Sequence, residues 1–253
     1  MRTVAFAKRT IKEILRDPLS YLFVLGFPIV MLVIMTIVDQ SIPKQGQVEV
    51  FHIKALAPGI AIFGFGFVMI FTALQISKDR TTALLMRLYA SPLKAKDFIM
   101  GYTIPVVVIA IGQVVVTFVA SSVIGFFVDY HFSLGYMLAC LLVLLPSAFL
   151  FIGFGLLLGT VFNDKAAPGI CSIIISVSGM LGGIWMDVDS IGGTLKKISQ
   201  VLPFYPGTMS ARYAMNGEFG KLGKPLAIIL VYGIVVYVLA IVVFYQKMEK
   251  DLR

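Results

Sequence analysis

The chain has 253 residues, 59% of them hydrophobic and 13% charged, and it carries a formal net charge of +8. Because soluble domains average about 45–50% apolar and about 25% charged residues, this composition excludes an ordinary soluble domain and indicates a polytopic membrane protein. A basic chain can also bind nucleic acid, but here the basic residues flank apolar stretches, which predicts membrane topology and contact with anionic lipid instead.

An amphipathic segment over residues 1–18 begins the chain. Its apolar side chains recur at spacings of three and four residues, while basic residues occupy the other faces. The spacing predicts an interfacial helix on the membrane surface, which ends near Pro18 because the residue before a proline disfavours helical geometry. A lipid anchor and a lever against the bundle are both open interpretations. The apolar positions are Val4, Ala7, Ile11, Ile14 and Leu15.

Six apolar stretches are long enough to cross a bilayer, since a hydrocarbon core about 30 Å thick takes roughly 20 helical residues. None of the six contains Asp, Glu, Lys, Arg or His. We therefore predict an all-α polytopic membrane protein with six transmembrane helices, in which residues 1–253 form a single transmembrane domain. The predicted spans are residues 21–38, 56–76, 102–128, 136–162, 169–186 and 225–245.

Aromatic residues and glycines within the spans each allow two interpretations. The aromatic and glycine mixture of the second span could line a slot for an amphiphile or could face lipid. Small residues in the fourth and fifth spans indicate close helix packing, and a flexible joint beneath an outer gate is the alternative for the fifth. The residues concerned are Phe63, Phe65, Phe67 and Phe71 in the second span, Gly153, Gly155 and Gly159 in the fourth, and Gly179, Gly182 and Gly183 in the fifth.

Basic residues in the loops predict the orientation, because Lys and Arg accumulate on the cytoplasmic side. With both termini in the cytoplasm, fourteen basic residues lie inside and seven outside. Five of those seven lie in residues 187–224, before the last span. This outer segment is apolar but interrupted by Pro203, Pro206 and Gly207, which prevent one continuous helix. We expect two short, partly re-entrant helices there, with an ordinary interfacial loop as the alternative.

Catalytic and ion-binding patterns are missing from the sequence. It contains no nucleophile elbow, no paired-histidine metal motif and no phosphate-binding loop, so we expect neither an enzyme nor a nucleotide site in this chain. Spans without ionisable groups argue against a proton antiporter, while an ion-coupled secondary transporter that uses backbone carbonyls stays a weaker alternative. We expect His52 and His131 to be solvated loop residues, and Trp185 to anchor a span end at the interface.

The order of these elements resembles the membrane subunits of ATP-binding-cassette (ABC) exporters of the type-two (ABC-2) permease family. The first segment and span, FAKRTIKEILRDPLSYLFVLGFPIVM, are similar to the family's basic helix, Asp-Pro step and proline in span one, here Pro28. The loop LLMRLYASPLKAKDFIMG resembles its leucine-rich helix, proline step and basic turn, and ISQVLPFYPGTMSARYAMNGE resembles its proline-bearing outer segment. The chain departs from the family by having Asp79-Arg80-Thr81-Thr82 after span two, where a glutamate and a Gly-Thr pair are common.

The resemblance implies that residues 77–101 form a cytoplasmic coupling loop that docks into a separate cytosolic ATPase subunit. That subunit would bind ATP and Mg²⁺, while this chain would bind no cofactor or metal. A second copy of the chain, or a similar permease, would complete the transporter in the inner (plasma) membrane of a prokaryote. The residues expected to couple to the ATPase are Arg80, Leu84, Leu85, Arg87, Leu88, Tyr89, Ser91 and Pro92.

The substrate is expected to be an amphiphile such as a drug, an antimicrobial peptide or a lipid, and export of a lipid-linked polysaccharide by the same architecture is the alternative. We expect the substrate pathway or gate to involve the aromatic and glycine positions of spans two and five together with the broken outer segment. These residues are Phe63, Phe67, Phe71, Gly179, Gly182, Gly183, Pro203, Phe204 and Pro206.

Overall fold

The computed structural model describes residues 2–14, 16, 22–43, 48–81 and 95–251 of the chain. Within these ranges every regular element is helical. The long helices are α1 (Arg2–Ile14), α2 (Phe27–Ser41, preceded by a π-helical turn at Leu22–Gly26), α3 (Ile53–Thr81), α4 (Ala95–Phe127), α5 (Leu134–Val161), α6 (Ala167–Leu181) and, last in the chain, α10 (Gly223–Asp251). Following the predicted orientation, we call the end of the bundle that holds the α2–α3 connection the outer end and the opposite one the inner end.

Among the described residues, five helical segments are long and apolar enough to span a membrane, which makes the chain a multi-pass membrane protein. They are Leu22–Ser41, Ile53–Arg80, Asp97–Phe127, Leu134–Val161 and Gly223–Lys247. The stretch predicted as span 169–186 differs, because its helix α6 ends at Leu181 after 15 residues. At about 1.5 Å per residue that helix is only about 22 Å long. The chain turns at Gly183, whose φ of +72° suits a residue without a side chain.

Helix α3 lies at the centre of the bundle, packed by α2, α4, α5, α6 and the outer segment. In its most apolar stretch 72% of the residues are buried, against 17% in α10, which has only part of its surface covered. Two glycines of α5 let α3 approach closely. A Cβ atom on Gly155 would lie 2.7 Å from the carbonyl oxygen of Met69, and one on Gly159 would lie 2.6 Å from that of Ala73. The predicted packing role of the fourth-span glycines is therefore confirmed.

The N-terminal helix α1 packs on the inner end of α4. The ring of Phe6 lies edge-on to Phe98 and Tyr102, with ring centroids 5.5 and 4.9 Å away. A Cβ atom on Gly101 would lie 2.2 Å from the Phe6 ring, so the glycine is needed for this approach. The predicted helix is present and ends at Ile14. Its place at the membrane surface stays a prediction, and the Asp17-Pro18 step lies outside the described residues.

The outer segment contains three short helices rather than the two that we expected. They are α7 (Val188–Ile191), α8 (Gly193–Val201) and α9 (Phe204–Asn216). Most of α9 is buried against α5, α3 and α10, while α8 is largely exposed. The predicted break at Pro203 is confirmed, but Pro206 and Gly207 do not interrupt a helix, because both lie within α9. Pro206 lies in the first turn of α9, where its missing N–H costs no helical hydrogen bond.

Candidate functional site

The inner end of α3 carries two adjacent charged residues that point to different helices. Asp79 is buried, and the hydroxyl of Tyr102 on α4 donates a hydrogen bond to its Oδ2 atom at 2.7 Å. Nη2 of Arg9 on α1 lies 3.5 Å from the Oδ1 atom of the same carboxylate. Asp79 therefore joins α3 to α4 and to α1, within the first residues of the predicted coupling loop.

Arg80 makes the complementary connection to α5. Its Nη1 atom donates hydrogen bonds to the carbonyl oxygens of Thr160 and, at 3.3 Å, of Gly159. These carbonyls belong to the last turn of α5, where no further helical N–H is available and where the helix dipole favours a cation. Arg80 thus satisfies the helix end and fixes the exit of α3 against α5.

A second polar contact attaches α1 to α3. Nε2 of Gln75 donates to Oε2 of Glu13 at 3.1 Å, and Oε1 of the same glutamate lies 2.5 Å from Nη2 of Arg9. These contacts and the Asp79 pairs connect five residues, and Arg80 next to Asp79 adds its separate contacts with α5. We call the six residues the inner junction: Arg9, Glu13, Gln75, Asp79, Arg80 and Tyr102. Of the predicted ATPase-coupling residues, Arg80 belongs to the inner junction. The others lie outside the described residues: Leu84, Leu85, Arg87, Leu88, Tyr89, Ser91 and Pro92.

At the opposite end of the bundle lies an open cleft of about 980 Å³. Its walls are the connection before α3, the turn after α6, α7, and one face of α9. Both charged and apolar side chains line it, so that it offers contacts to a ligand with polar and apolar parts. We call it the outer cleft; its lining includes Glu49, His52, Lys54, Trp185, Asp187, Met209, Arg212 and Tyr213.

Arg212 connects two walls of the outer cleft. Its Nε atom donates to the carbonyl oxygen of Ala55 at 3.2 Å, which ties α9 to the outer end of α3. Its Nη2 atom is buried without a hydrogen-bond acceptor among the described residues. Burial lowers the pKa of Arg212 to about 10, while the hydroxyl of Tyr205 and the carboxylates of Asp187 and Asp189 act in the opposite direction. The guanidinium therefore stays charged at neutral pH.

A carboxylate at the rim of the cleft holds the three short outer helices together. Asp189 on α7 lies 2.8 Å from Nζ of Lys196 on α8, and it accepts a hydrogen bond from the hydroxyl of Tyr205 on α9 at 2.7 Å. Burial alone would raise the pKa of Asp189, but the hydrogen bonds from Lys196 and Tyr205 outweigh it and hold the pKa below its ordinary value. The hydrogen bond and charge of Asp189 in turn raise the pKa of Lys196.

Beneath the cleft, the predicted pathway residues Phe63 and Gly179 contact Trp185, and a third, Phe67, packs on Phe63. The ring of Trp185 lies 5.0 Å from that of Phe63, and Phe63 and Phe67 each pack on Phe27 of α2, at 6.0 and 4.7 Å. Gly179 makes room for the indole, because a Cβ atom there would lie 2.7 Å from its Nε1 atom. These half-buried rings form an aromatic strip that leads from the middle of α3 to the outer cleft.

The other predicted pathway residues do not join this strip. Phe204 packs in the core against Phe151 and Phe154, at ring distances of 5.9 and 6.4 Å, and Phe71 is buried two turns further along α3 than Phe63. Pro203 and Pro206 are buried at the start of α9. Gly182 and Gly183 form the turn after α6, with Gly183 against the ring of Tyr205. The predicted set is thus distributed between the aromatic strip and the protein core.

Several residues of the two sites were not predicted from sequence. The role of Trp185 as an interfacial anchor stays a prediction, and its contact with Phe63 and its place in the lining of the outer cleft were not predicted. The prediction for His52 is confirmed, since it lies in the connection before α3 with 46% of its side chain exposed; its Nδ1 atom also lies 3.1 Å from Oδ2 of Asp39 at the end of α2, a contact that the sequence did not predict. Among the described residues, no group of three or more His, Cys, Asp or Glu could hold a metal ion.

Comparison with known families decides the class of protein. The profile of the ABC-2 type transporter family matches residues 1–216. The chain belongs to this family. An ABC-2 permease is the membrane component of a transporter whose ATP-binding subunit is a separate partner, and it is not a catalytic domain. The matched residues run from α1 to the end of α9, so that they include both the inner junction and the outer cleft of this permease. No curated protein sequence matches the chain.

Proposed function

We propose that this ABC-2 permease exports an amphiphilic substrate, such as a drug, an antimicrobial peptide or a lipid, using ATP hydrolysed by a cytosolic ATPase. The transporter would contain two permeases, either two copies of this chain or this chain with a similar one. Each chain acts as one transmembrane unit in a prokaryotic inner membrane, with both termini in the cytoplasm. The observation that carries the proposal is that α3 bears residues of the inner junction at its inner end and the aromatic strip and outer cleft towards its outer end.

Coupling begins where the ATPase moves residues 77–101. ATP and Mg²⁺ bind to the ATPase, and the permease receives only the displacement. Since Asp79 contacts α1 and α4 while Arg80 contacts α5, a movement of the loop shifts these helices together with α3. A discrete change in such a packed network is an established way to carry coupling between distant sites.

The substrate path follows the aromatic strip. Phe63, Phe67 and Trp185 offer apolar ring faces to the apolar part of an amphiphile. The polar part reaches the outer cleft, where charged residues of both signs, including Arg212 and Asp187, are available. The polar lining would also suit the hydroxyl-rich head of a lipid-linked polysaccharide, which is the second candidate substrate.

The experiment that tests the function uses the permease purified with its ATPase and reconstituted in proteoliposomes. We expect substrate transport to require ATP, and the double variant Arg87→Glu with Leu88→Glu to lose both transport and substrate-stimulated ATP hydrolysis while it still inserts and folds. Lys165→Glu is the matched control, since Lys165 is exposed on the loop between α5 and α6 at the same end of the bundle. Normal stimulation of the ATPase in the double variant would overturn the assigned coupling loop. Transport by the permease alone down an ion gradient would overturn the ATP-driven function.

The substrate path has its own test in the same vesicles. Trp185→Ala removes the ring that joins the aromatic strip to the cleft, and we expect it to reduce transport of a fluorescent amphiphile severalfold. Phe126→Ala serves as control, because Phe126 is a large apolar residue exposed on the surface of α4. Equal transport by the two variants would contradict the proposed path. Comparing a lipid-like amphiphile with a lipid-linked oligosaccharide in this assay decides between the two substrate classes.

A further inference from the structure

The outer segment carries four lysines, and the contacts described so far explain only one of them, Lys196. Lys196, Lys197, Lys221 and Lys224 lie at the outer end, where the positive-inside bias predicts few basic residues. Two of them have acidic partners: Lys196 lies 2.8 Å from Asp189, and Lys221 lies 2.5 Å from Glu218. For Lys197 and Lys224, by contrast, the described part of the chain provides no ion pair within 4.0 Å.

Lys197 and Lys224 line the same groove, although they belong to different helices. The groove has a volume of about 680 Å³ and runs between α8, which carries Lys197, and the first turns of α10, which carries Lys224. Both lysines are exposed. The two ammonium groups on this groove repel each other. An anion bound between them would attract both and offset that repulsion.

Below the lysines the groove becomes apolar. On α10, Lys224, Ile228 and Val231 follow one another at spacings of four and three residues, which places them on one face of the helix. At about 1.5 Å per residue, Val231 lies about 10 Å further along the helix axis than Lys224. Val201 of α8 forms the opposite apolar edge and is 66% exposed, as Val231 is 60% exposed. A ligand that fits this groove has an anionic head and an apolar tail.

We propose that the groove between α8 and α10 binds an anionic phospholipid from the adjoining leaflet. Its phosphate lies between Lys197 and Lys224, and an acyl chain runs along Ile228 and Val231. A membrane lipid is the occupant that the geometry favours, because the groove is open on its side and its polarity falls along the axis of a spanning helix. The bound lipid would hold the exposed helix α8 against α10 from outside, which the protein's own side chains do only weakly.

Fluorescence quenching by brominated lipids tests this site in reconstituted vesicles. Tyr232 lines the groove, and the variant Tyr232→Trp with Trp185→Phe carries its single tryptophan there. We expect brominated phosphatidylglycerol to quench this tryptophan more than brominated phosphatidylcholine at equal mole fraction. A lysine near a membrane surface favours anionic lipid about fivefold, so two lysines should give a preference on the order of tenfold after screening by salt.

The charge variants make the assignment specific. In the single-tryptophan variant, Lys197→Gln together with Lys224→Gln should bring the ratio of quenching by the two lipids close to one. Lys165→Gln, which removes one exposed lysine at the opposite end of the bundle, should leave this ratio unchanged. Equal quenching by the two lipids before any lysine is replaced, or an unchanged preference after both are replaced, would overturn the proposal. Native mass spectrometry of the permease with Trp185 and Tyr232 intact provides a second measurement. Phosphatidylglycerol adducts should be at least about fivefold fewer in the double lysine variant than in Lys165→Gln, and equal numbers would likewise overturn the site.

Discussion

The hydroxyl of Tyr102 lies 2.7 Å from Oδ2 of Asp79, and this hydrogen bond joins the two helices that flank the predicted coupling loop. Asp79 lies at the end of α3 and Tyr102 in the second turn of α4, so the contact closes the base of the loop. The ring of Tyr102 also packs on Phe6 of α1. A single side chain thus holds the loop's entry and exit together and places both against the N-terminal helix.

Replacing Tyr102 with Phe should destabilise the permease without changing its packing. The ring contact with Phe6 remains, while the buried carboxylate of Asp79 loses a hydrogen bond, which costs about 1.5–3 kcal/mol for a charged acceptor. Thermal unfolding in detergent measures the effect. Tyr130→Phe is the matched control. The ring of Tyr130 packs on Phe132, and its hydroxyl makes no hydrogen bond with the described residues. Equal midpoints for the two variants would mean that the Tyr102–Asp79 bond does not stabilise the inner junction.

Replacing Arg80 with Ala should uncouple the loop from α5. The variant loses the hydrogen bonds to the carbonyls of Gly159 and Thr160, so a displacement of the loop no longer reaches the end of α5 directly. Since coupling energies between sites are commonly about 1–3 kcal/mol, substrate stimulation of the ATPase should fall at least about fivefold. Arg80→Lys should lose less, because it keeps a cation at the helix end. Lys12→Ala, which removes an exposed cation from α1, is the control, and a loss as large as that of Arg80→Ala would refute a specific role for Arg80.

Gly159→Ala and Gly112→Ala should change stability in opposite directions. Alanine favours a helix over glycine by about 1 kcal/mol. At Gly112 of α4, no atom of another described element lies within 4 Å of the new methyl group. At Gly159 the methyl group would lie 2.6 Å from the backbone oxygen of Ala73, so α5 and α3 must separate. Overpacking of this kind costs about 1–3 kcal/mol. Unfolding midpoints of the two variants test the sign, and a stabilised Gly159→Ala variant would show that the helices do not pack this closely.

The contact between Asp189 and Lys196 should be insensitive to pH over the physiological range. The native pKa of Asp189 lies below its unfolded value, so its contribution is complete above about pH 4 and is lost as the pH falls through the native value. The raised pKa of Lys196 means that its contribution is complete below about pH 10 and is lost only as the pH rises through the native value. Hydrogen exchange in α7 and α8, corrected for intrinsic rates, should therefore stay constant from about pH 5 to 8.

The variant Asp189→Asn should increase exchange in α7 and α8 across that whole pH range, because it removes the charge that Lys196 and Tyr205 contact. Glu49→Gln is the control, since Glu49 is exposed in the same cleft and has no ion pair among the described residues. A marked rise in exchange between pH 5 and 7 with Asp189 present would place its native pKa above rather than below the ordinary value.

Hydropathy predicted the long helices well, because an apolar run of this length has one stable conformation in lipid. It placed helix ends less well. Helix α3 continues from Ile76 to Thr81 because Asp79 and Arg80 find partners on three neighbouring helices, and α6 ends early because the apolar run around Gly182 and Gly183 contains a turn. The end of α3 depends on contacts with distant residues, which composition does not show. The end of α6 does have a local signal, the adjacent pair Gly182 and Gly183, but the high hydropathy of the surrounding run conceals it.

The sites were less predictable than the spans. The positions of Phe63, Phe67 and Gly179 in one cluster follow from their spacing and from the packing of α3 on α6, and sequence analysis included all three. Arg212 was missed because its hydrogen bond goes to the backbone of Ala55, which lies 157 residues away and can be any amino acid. Because every residue has a backbone carbonyl, the residue type at position 55 does not show that an arginine binds there. Two signals were available: Arg212 is a lone arginine in an otherwise uncharged helix, and it lies in the segment that resembles the family's proline-bearing outer segment.

The length and central position of α3 have a mechanical consequence. With 29 residues at about 1.5 Å each the helix measures about 43 Å, so a tilt of about 5° around its midpoint would displace each end by about 2 Å. A shift of that size is enough to break a hydrogen bond at either end. The Arg80 contacts at the inner end and the Ala55–Arg212 contact at the outer end would then break or form together as α3 tilts. The tilt is too small to disturb the side-chain packing in the middle of the helix.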